Sequence, residues 1–167
     1  MIFKFNNKRP FIISDLDGTL FHLNGDWARV QEMSKPYKNV MEASKNAFKN
    51  NDKHFFENLN KLELIKEPTP LKFMYIFKQM DIEKYIVTNN TAATAQYINQ
   101  QYNLNANGIV GIDQVSEGKP SSEGIKKILD EFKLDPKVGY YIGNQKTDKE
   151  AAISAGLSFI DVSIFNC

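Results

Sequence analysis

Cysteine occurs once in the 167 residues, at Cys167, tryptophan once, at Trp27, and arginine only at Arg9 and Arg29 among 21 basic residues. A single thiol excludes an internal disulfide and a cysteine metal cluster, and suits a reducing compartment. No apolar run reaches the roughly 18 residues that a membrane-spanning helix needs. Charge of one sign is also missing. The formal net charge is +1, and the lysines are scattered rather than striped, so the footprint of a nucleic-acid binder is absent. Residues 1–9 mix apolar positions with Lys4, Lys8 and Arg9 and lack the long apolar stretch of a secretory signal. The expectation is a cytoplasmic protein without membrane or nucleic-acid partners. What is present is a hydrophobic fraction of 42% and a charged fraction of 25%, ordinary for a globular domain with room for one small insertion.

Short apolar runs bounded by turn residues mark five strands. The first is Phe11-Ile12-Ile13-Ser14, and the others fall near residues 85–88, 108–112, 138–142 and 158–162. Amphipathic helices lie between them. One runs over about 91–102 with Ala92, Ala95, Ile98 and Tyr102 on one side, and one follows Ser121 or Ser122 with Ile125, Ile128, Leu129 and Phe132 at helical spacing. A third begins at Thr147-Asp148-Lys149-Glu150, which has the form of a capping box, and ends at Gly156. Strands alternating with helices predict an α/β fold, a Rossmann-like parallel sheet of about five strands covered on both faces. Residues 23–66 break this rhythm with three helix-like patterns, around Trp27, Val40 and Phe55. Pro36 interrupts the first and Asp52 caps the last. They read as a helical cap inserted into a core of residues 1–22 and 67–167, where Thr69-Pro70 restarts a helix through Phe73 and Phe77.

The chemistry gathers at the strand ends. Asp15 and Asp17, two residues apart just past a buried strand, project toward one side, and Gly18 beside them frees the backbone. An Asp-Gly pair taken alone also marks turns. Thr88 ends the second strand, Lys119 lies in the loop after the third, and residues 143–148 follow the fourth, so all would face one crevice at the carboxyl edge of the sheet. Paired carboxylates, a hydroxyl, a lysine and further oxygen ligands are the parts of a phosphoryl-transfer site holding a hard cation.

These segments resemble the four motifs of the haloacid dehalogenase superfamily. Asp15-Leu16-Asp17-Gly18-Thr19 looks like motif I, Ile86-Val87-Thr88-Asn89 is similar to motif II, Gly118-Lys119-Pro120 to motif III, and Gly143-Asn144-Gln145-Lys146-Thr147-Asp148 to motif IV. The resemblance implies a magnesium-dependent phosphatase acting on a small phosphorylated substrate, of the phosphoglycolate-phosphatase-like type. In it Asp15 is the nucleophile and Asp17 the acid and base, while Thr88, Asn89 and Lys119 bind the phosphoryl group. Asp15, Asp17 through its carbonyl, Asp148 and Asn144 are the implied Mg2+ ligands. Asn144 departs from the pattern, since the family commonly has a carboxylate there, and an amide brings no charge.

The same resemblance allows a phosphomutase like β-phosphoglucomutase, or a binding module that keeps the fold with weak catalysis. The inserted helices correspond to the family's helical cap. Trp27, His22, Arg29, Lys35 and Lys38 are its candidates for contacting an anionic substrate, with core packing for Trp27 and open surface for the others as the alternative.

Overall fold

A computed structural model describes residues 9–165; Cys167 and most of the N-terminal segment considered above lie outside them. The chain runs β1 (Phe11–Ser14), β2 (Phe21–His22), α1 (Trp27–Met33), α2 (Val40–Lys49), α3 (Lys53–Glu63), β3 (Thr69–Pro70), α4 (Lys72–Gln79) and β4 (Glu83–Val87). It continues through α5 (Ala92–Gln101), β5 (Gly108–Val110), α6 (Glu123–Phe132), β6 (Gly139–Gly143), α7 (Lys146–Ser154) and β7 (Ser158–Asp161). Five strands form one parallel sheet in the order β5-β4-β1-β6-β7. β1 is central, with Ile13 in register with Tyr85 on one side and Tyr141 on the other.

Strand alternation sends successive side chains to opposite faces, and each face has its own core. Phe11, Ile13, Tyr85 and Tyr141 pack with Ile125 and Ile128 of α6 and Ala151 and Ala152 of α7. Ile12, Ile86 and Ile142 pack on the other side with Phe73 and Phe77 of α4 and Ile98 of α5. Helices thus cover both faces, as the alternation of elements predicts. No helix among the described residues is long and apolar enough to cross a membrane.

The helical patterns of the insert become α1, α2 and α3. Asp52 caps α3 by accepting from the Phe55 N–H at 3.0 Å, and Asn39 does the same for α2 from Glu42 at 3.0 Å.

Two local expectations are corrected. Thr69-Pro70 does not start a helix. It pairs antiparallel with Phe21–His22, and α4 begins after an extended Leu71 whose N–H donates to the Leu20 carbonyl. Pro70 fits there because a two-stranded ribbon leaves its missing N–H without a required partner. The Thr147-Glu150 box is not used either, since α7 begins at Lys146, two residues earlier than that box would place it. Its capping carboxylate is Asp148, which accepts from the Gln145 N–H at 3.0 Å.

Candidate active site

The carboxyl ends of β1, β4 and β6 open into a cavity of about 370 Å³, bordered by Asp15, Asp17, Thr88, Asn89, Lys119 and Asp148. This is the crevice where parallel sheets bind ligands. At its centre Lys119 is almost fully buried, and its Nζ donates to Asp15 Oδ1 and Asp148 Oδ1, each at 2.6 Å. The same ammonium donates to the Tyr141 hydroxyl at 2.9 Å, which in turn donates to the Val87 carbonyl at 2.8 Å. The three donors of Lys119 are thereby used, and β1, β4 and β6 are tied together at one point.

Burial works against the charge of Lys119, but Asp15, Tyr141 and Asp148 beside it outweigh burial and hold its pKa above the ordinary lysine value. Burial raises the pKa of Asp15, and the neighbouring Lys119 charge opposes that rise. Burial likewise lifts Asp17, partly offset by the Leu23 N–H that donates to its Oδ1 at 2.9 Å. Tyr141 is pushed well above the ordinary tyrosine value by burial and so remains a neutral phenol at neutral pH. A carboxyl with a raised pKa beside a second carboxylate is an arrangement suited to acid–base work.

Two glycines make these approaches possible. Gly18 has φ +82, and a Cβ there would lie 2.4 Å from Asn144 Nδ2. A Cβ on Gly143 would lie 2.5 Å from Asp148 Oδ2. A side chain at either position would displace the residues it touches.

Asp148 is committed to donors on both oxygens. Its Oδ1 takes Lys119, and its Oδ2 accepts from the Asn144 and Gln145 N–H groups at 3.1 and 3.0 Å. Asn144 sits nearer the open side. Its Oδ1 and Asp15 Oδ2 both lie within reach of the Thr19 hydroxyl, at 3.3 and 3.2 Å. A hydroxyl has one proton, so it leaves one of these converging oxygens free to accept from something else. Among the described residues no group of three or more His, Cys, Asp or Glu side chains is placed to hold a metal ion. The oxygens that face one another at Asp15 and Asn144 fit a hard cation such as Mg2+ in chemistry, though with little negative charge.

Thr88 and Asn89 border the cavity as the sequence predicts, but their side chains have internal duties. The Thr88 hydroxyl donates to Asn90 Oδ1 at 2.9 Å and accepts from the Asn90 N–H at 3.1 Å. The Asn89 amide makes a reciprocal pair with the Lys119 backbone, donating to its carbonyl at 3.1 Å and accepting from its N–H at 2.8 Å. That pair fixes the loop that carries Lys119.

Sequence reasoning missed Tyr141, Glu63 and Thr19. Tyr141 had a faint signal, since alternation along β6 puts it on the face of Ile13 and Tyr85 next to the strand end. Glu63 had none, because a carboxylate in the last turn of an amphipathic helix reads as solvated. It is buried instead, and accepts from Asn90 Nδ2 at 3.1 Å, the Thr91 hydroxyl at 2.8 Å and the Thr94 hydroxyl at 2.6 Å. Burial raises its pKa against the pull of these donors. Through it the end of α3 is fastened to the start of α5. Of the cap candidates, Trp27 borders the cavity, whereas His22, Arg29, Lys35 and Lys38 do not. Arg29 borders a separate hollow with Met33 and Lys61, and Lys35 pairs with Glu32.

Tyr141→Phe is expected to lower stability by about 1–3 kcal/mol, because the Val87 carbonyl is left buried without its donor. Urea denaturation of both proteins measures it, and an unchanged midpoint would mean that the hydroxyl bridge carries no weight.

Residues 12–162 match the sequence profile of the haloacid dehalogenase-like hydrolases, and the chain belongs to that family of enzymes. No curated protein sequence matches it. Among solved structures it is similar to a predicted phosphoglycolate phosphatase of Haemophilus somnus, at 19% identity and a TM-score of 0.64, over 92% of this chain and 85% of that one. It is also similar to a family enzyme of Bacteroides thetaiotaomicron, an aspartate-to-alanine mutant in complex with magnesium and inorganic phosphate. That match has 12% identity and a TM-score of 0.59 over 91% and 93% of the two chains. A third is the L-2-haloacid dehalogenase of Xanthobacter autotrophicus, at 13% identity and a TM-score of 0.59, over 90% and 76%. At these identities the likeness is one of fold.

Proposed function

We propose that the protein is a magnesium-dependent phosphatase that hydrolyses a small phosphomonoester through an aspartyl-phosphate on Asp15. The observation that carries this reading is the buried Asp15–Lys119–Asp148 cluster with Asp17 beside it in one cavity. A carboxylate oxygen of Asp15 forms a bond to phosphorus while the ester P–O bond breaks, and Asp17 gives its proton to the departing alkoxide. Water then attacks the phosphorus, Asp17 takes a proton from it, and the bond to Asp15 breaks to release inorganic phosphate. Lys119 holds Asp15 in place and offsets its charge; Thr88 and the backbone N–H of Asn89 would bind phosphoryl oxygens. Mg2+ would be held by Asp15, the Asp17 carbonyl and Asn144, and it would neutralise charge on the phosphoryl oxygens. Asp148, the fourth ligand that the resemblance implies, has both oxygens accepting from Lys119 and the Asn144 and Gln145 N–H groups and would instead orient Asp15 through Lys119.

The fold alone does not choose this reaction, since a dehalogenase shares it. Leaving-group chemistry favours the phosphatase: a halide departs without a proton, whereas an alkoxide needs one, and Asp17 with its raised pKa is placed to supply it. The test is phosphate release from a broad panel of phosphomonoesters with Mg2+ and with excess chelator. Hydrolysis that stops in chelator is expected, and undiminished hydrolysis would overturn the reading. Isomerised hexose phosphate in place of free phosphate would identify a mutase; binding of a phosphate analogue without turnover would identify a binding module.

Asn144→Asp is expected to tighten Mg2+ binding about tenfold to a hundredfold, because it adds a full charge beside Asp15 Oδ2. Calorimetric titration of both proteins at one pH and ionic strength measures it. Equal or weaker binding would remove Asn144 from the metal position.

A further inference from the structure

The insert gives the cavity a wall of one chemistry. Trp27 and Val30 of α1, Val40 and Met41 of α2, and Leu59 of α3 line it together with a single charged group from the insert, Glu63. That carboxylate already accepts from Asn90, Thr91 and Thr94. Lys119 is the one cation lining the cavity, and Asp15 and Asp148 hold it. Lys45, one turn beyond Met41 on α2, pairs with Glu117 and borders the neighbouring groove instead. Among the described residues the wall therefore offers no positive charge to a substrate. Trp27 remains 42% exposed although it is the largest apolar side chain of the protein. An exposed aromatic at the rim of a cavity is a face against which a ligand can pack.

Charge points the same way. Asp17 and Glu63 line the cavity as well, and apart from Lys119 and the Mg2+ proposed for the phosphoryl group no cation among the described residues lines it, so a second anion on the leaving group would meet carboxylates rather than a counter-charge. A cavity of about 370 Å³ that must also hold the phosphoryl group has room for a ring-sized leaving group.

We propose that the leaving group is a neutral, apolar alcohol packed against Trp27 and Met41, and that phosphomonoesters carrying a second anion, such as 2-phosphoglycolate, are disfavoured. The proposal rests on the phosphatase reading above and narrows its substrate class.

Benzyl phosphate and 2-phosphoglycolate are both esters of primary alcohols, which keeps the departing alkoxides comparable. With Mg2+, kcat/KM for benzyl phosphate is expected to exceed that for 2-phosphoglycolate at least about tenfold. Trp27→Ala should raise KM for benzyl phosphate about tenfold while leaving inhibition by inorganic phosphate unchanged. Met41→Lys should shift the preference toward 2-phosphoglycolate by a similar factor. Binding is read separately from turnover by the fluorescence of Trp27, the sole tryptophan, titrated with benzylphosphonate and with phosphonoacetate. Tighter benzylphosphonate binding without hydrolysis of any ester would sink the phosphatase reading and keep the apolar site. Hydrolysis with equal or better use of 2-phosphoglycolate, or a Trp27→Ala effect equal for all ligands, would overturn the apolar site and keep the phosphatase.

Discussion

Asp15→Asn is expected to leave the fold intact and to lower phosphate release more than a thousandfold, equivalent to about 4 kcal/mol of barrier. An amide oxygen is a poor nucleophile and a poor leaving group, so both half-reactions fail. The fold survives because Lys119 keeps Asp148 at 2.6 Å and the Tyr141 hydroxyl at 2.9 Å after the Asp15 charge is gone. The substitution also removes a carboxylate that burial disfavours, so little stability is lost. Circular dichroism followed by phosphate-release kinetics measures both parts. Residual activity above about a tenth would remove Asp15 from the nucleophile position.

Lys119→Met should have the largest effect on stability. It leaves Asp15 and Asp148, both nearly fully buried, facing each other without a counter-charge. Removing one partner from such a site costs about 3–5 kcal/mol, which for a chain of this size lowers Tm by roughly 10 °C. The deficit should depend on pH. Burial raises the pKa of Asp15, and without the opposing lysine charge Asp15 holds its proton more tightly folded than unfolded. Its contribution is then intact below the unfolded pKa and is lost as pH rises through the folded one. The gap to wild type should therefore be smaller at pH 5 than at pH 8, as read by thermal melts at both. Lys146→Met is the contrast, because its pair with Glu150 at 3.5 Å lies on the surface, and its melting curve should follow wild type. A Lys119 variant as stable as the Lys146 variant at pH 8 would mean that the buried cluster does not hold the strand ends together.

Local pattern carried the sheet and most of the helices because their signals lie within a few residues of one another. The run Phe11-Ile12-Ile13-Ser14 could be read as central because its first three positions are apolar without alternation, as in a strand covered on both faces. The ribbon of Phe21–His22 and Thr69–Pro70 could not be read. Its two halves are far apart in the chain, each is two residues long, and neither has a strand pattern of its own. Glu63 and Tyr141 escaped for a related reason: their partners come from other elements, so nothing adjacent in sequence distinguishes them from a surface carboxylate and a core aromatic.

The amino-acid sequence by itself determined the class of fold, the family and the residues that meet at the sheet edge. Each of these depends on hydrophobic periodicity or on short motifs at strand ends, which are local properties. Only the tertiary structure decided what those residues do to one another. Which carboxylates Lys119 bridges, which donors hold the two oxygens of Asp148, and whether the helical wall over the cavity is charged or apolar depend on distances between elements that lie up to 104 residues apart. Arg29 and Trp27 stand two positions apart in the chain, yet a helical turn of 3.6 residues sends them to different sides of α1. Of the two, Trp27 borders the cavity and Arg29 borders the separate hollow beside Lys61.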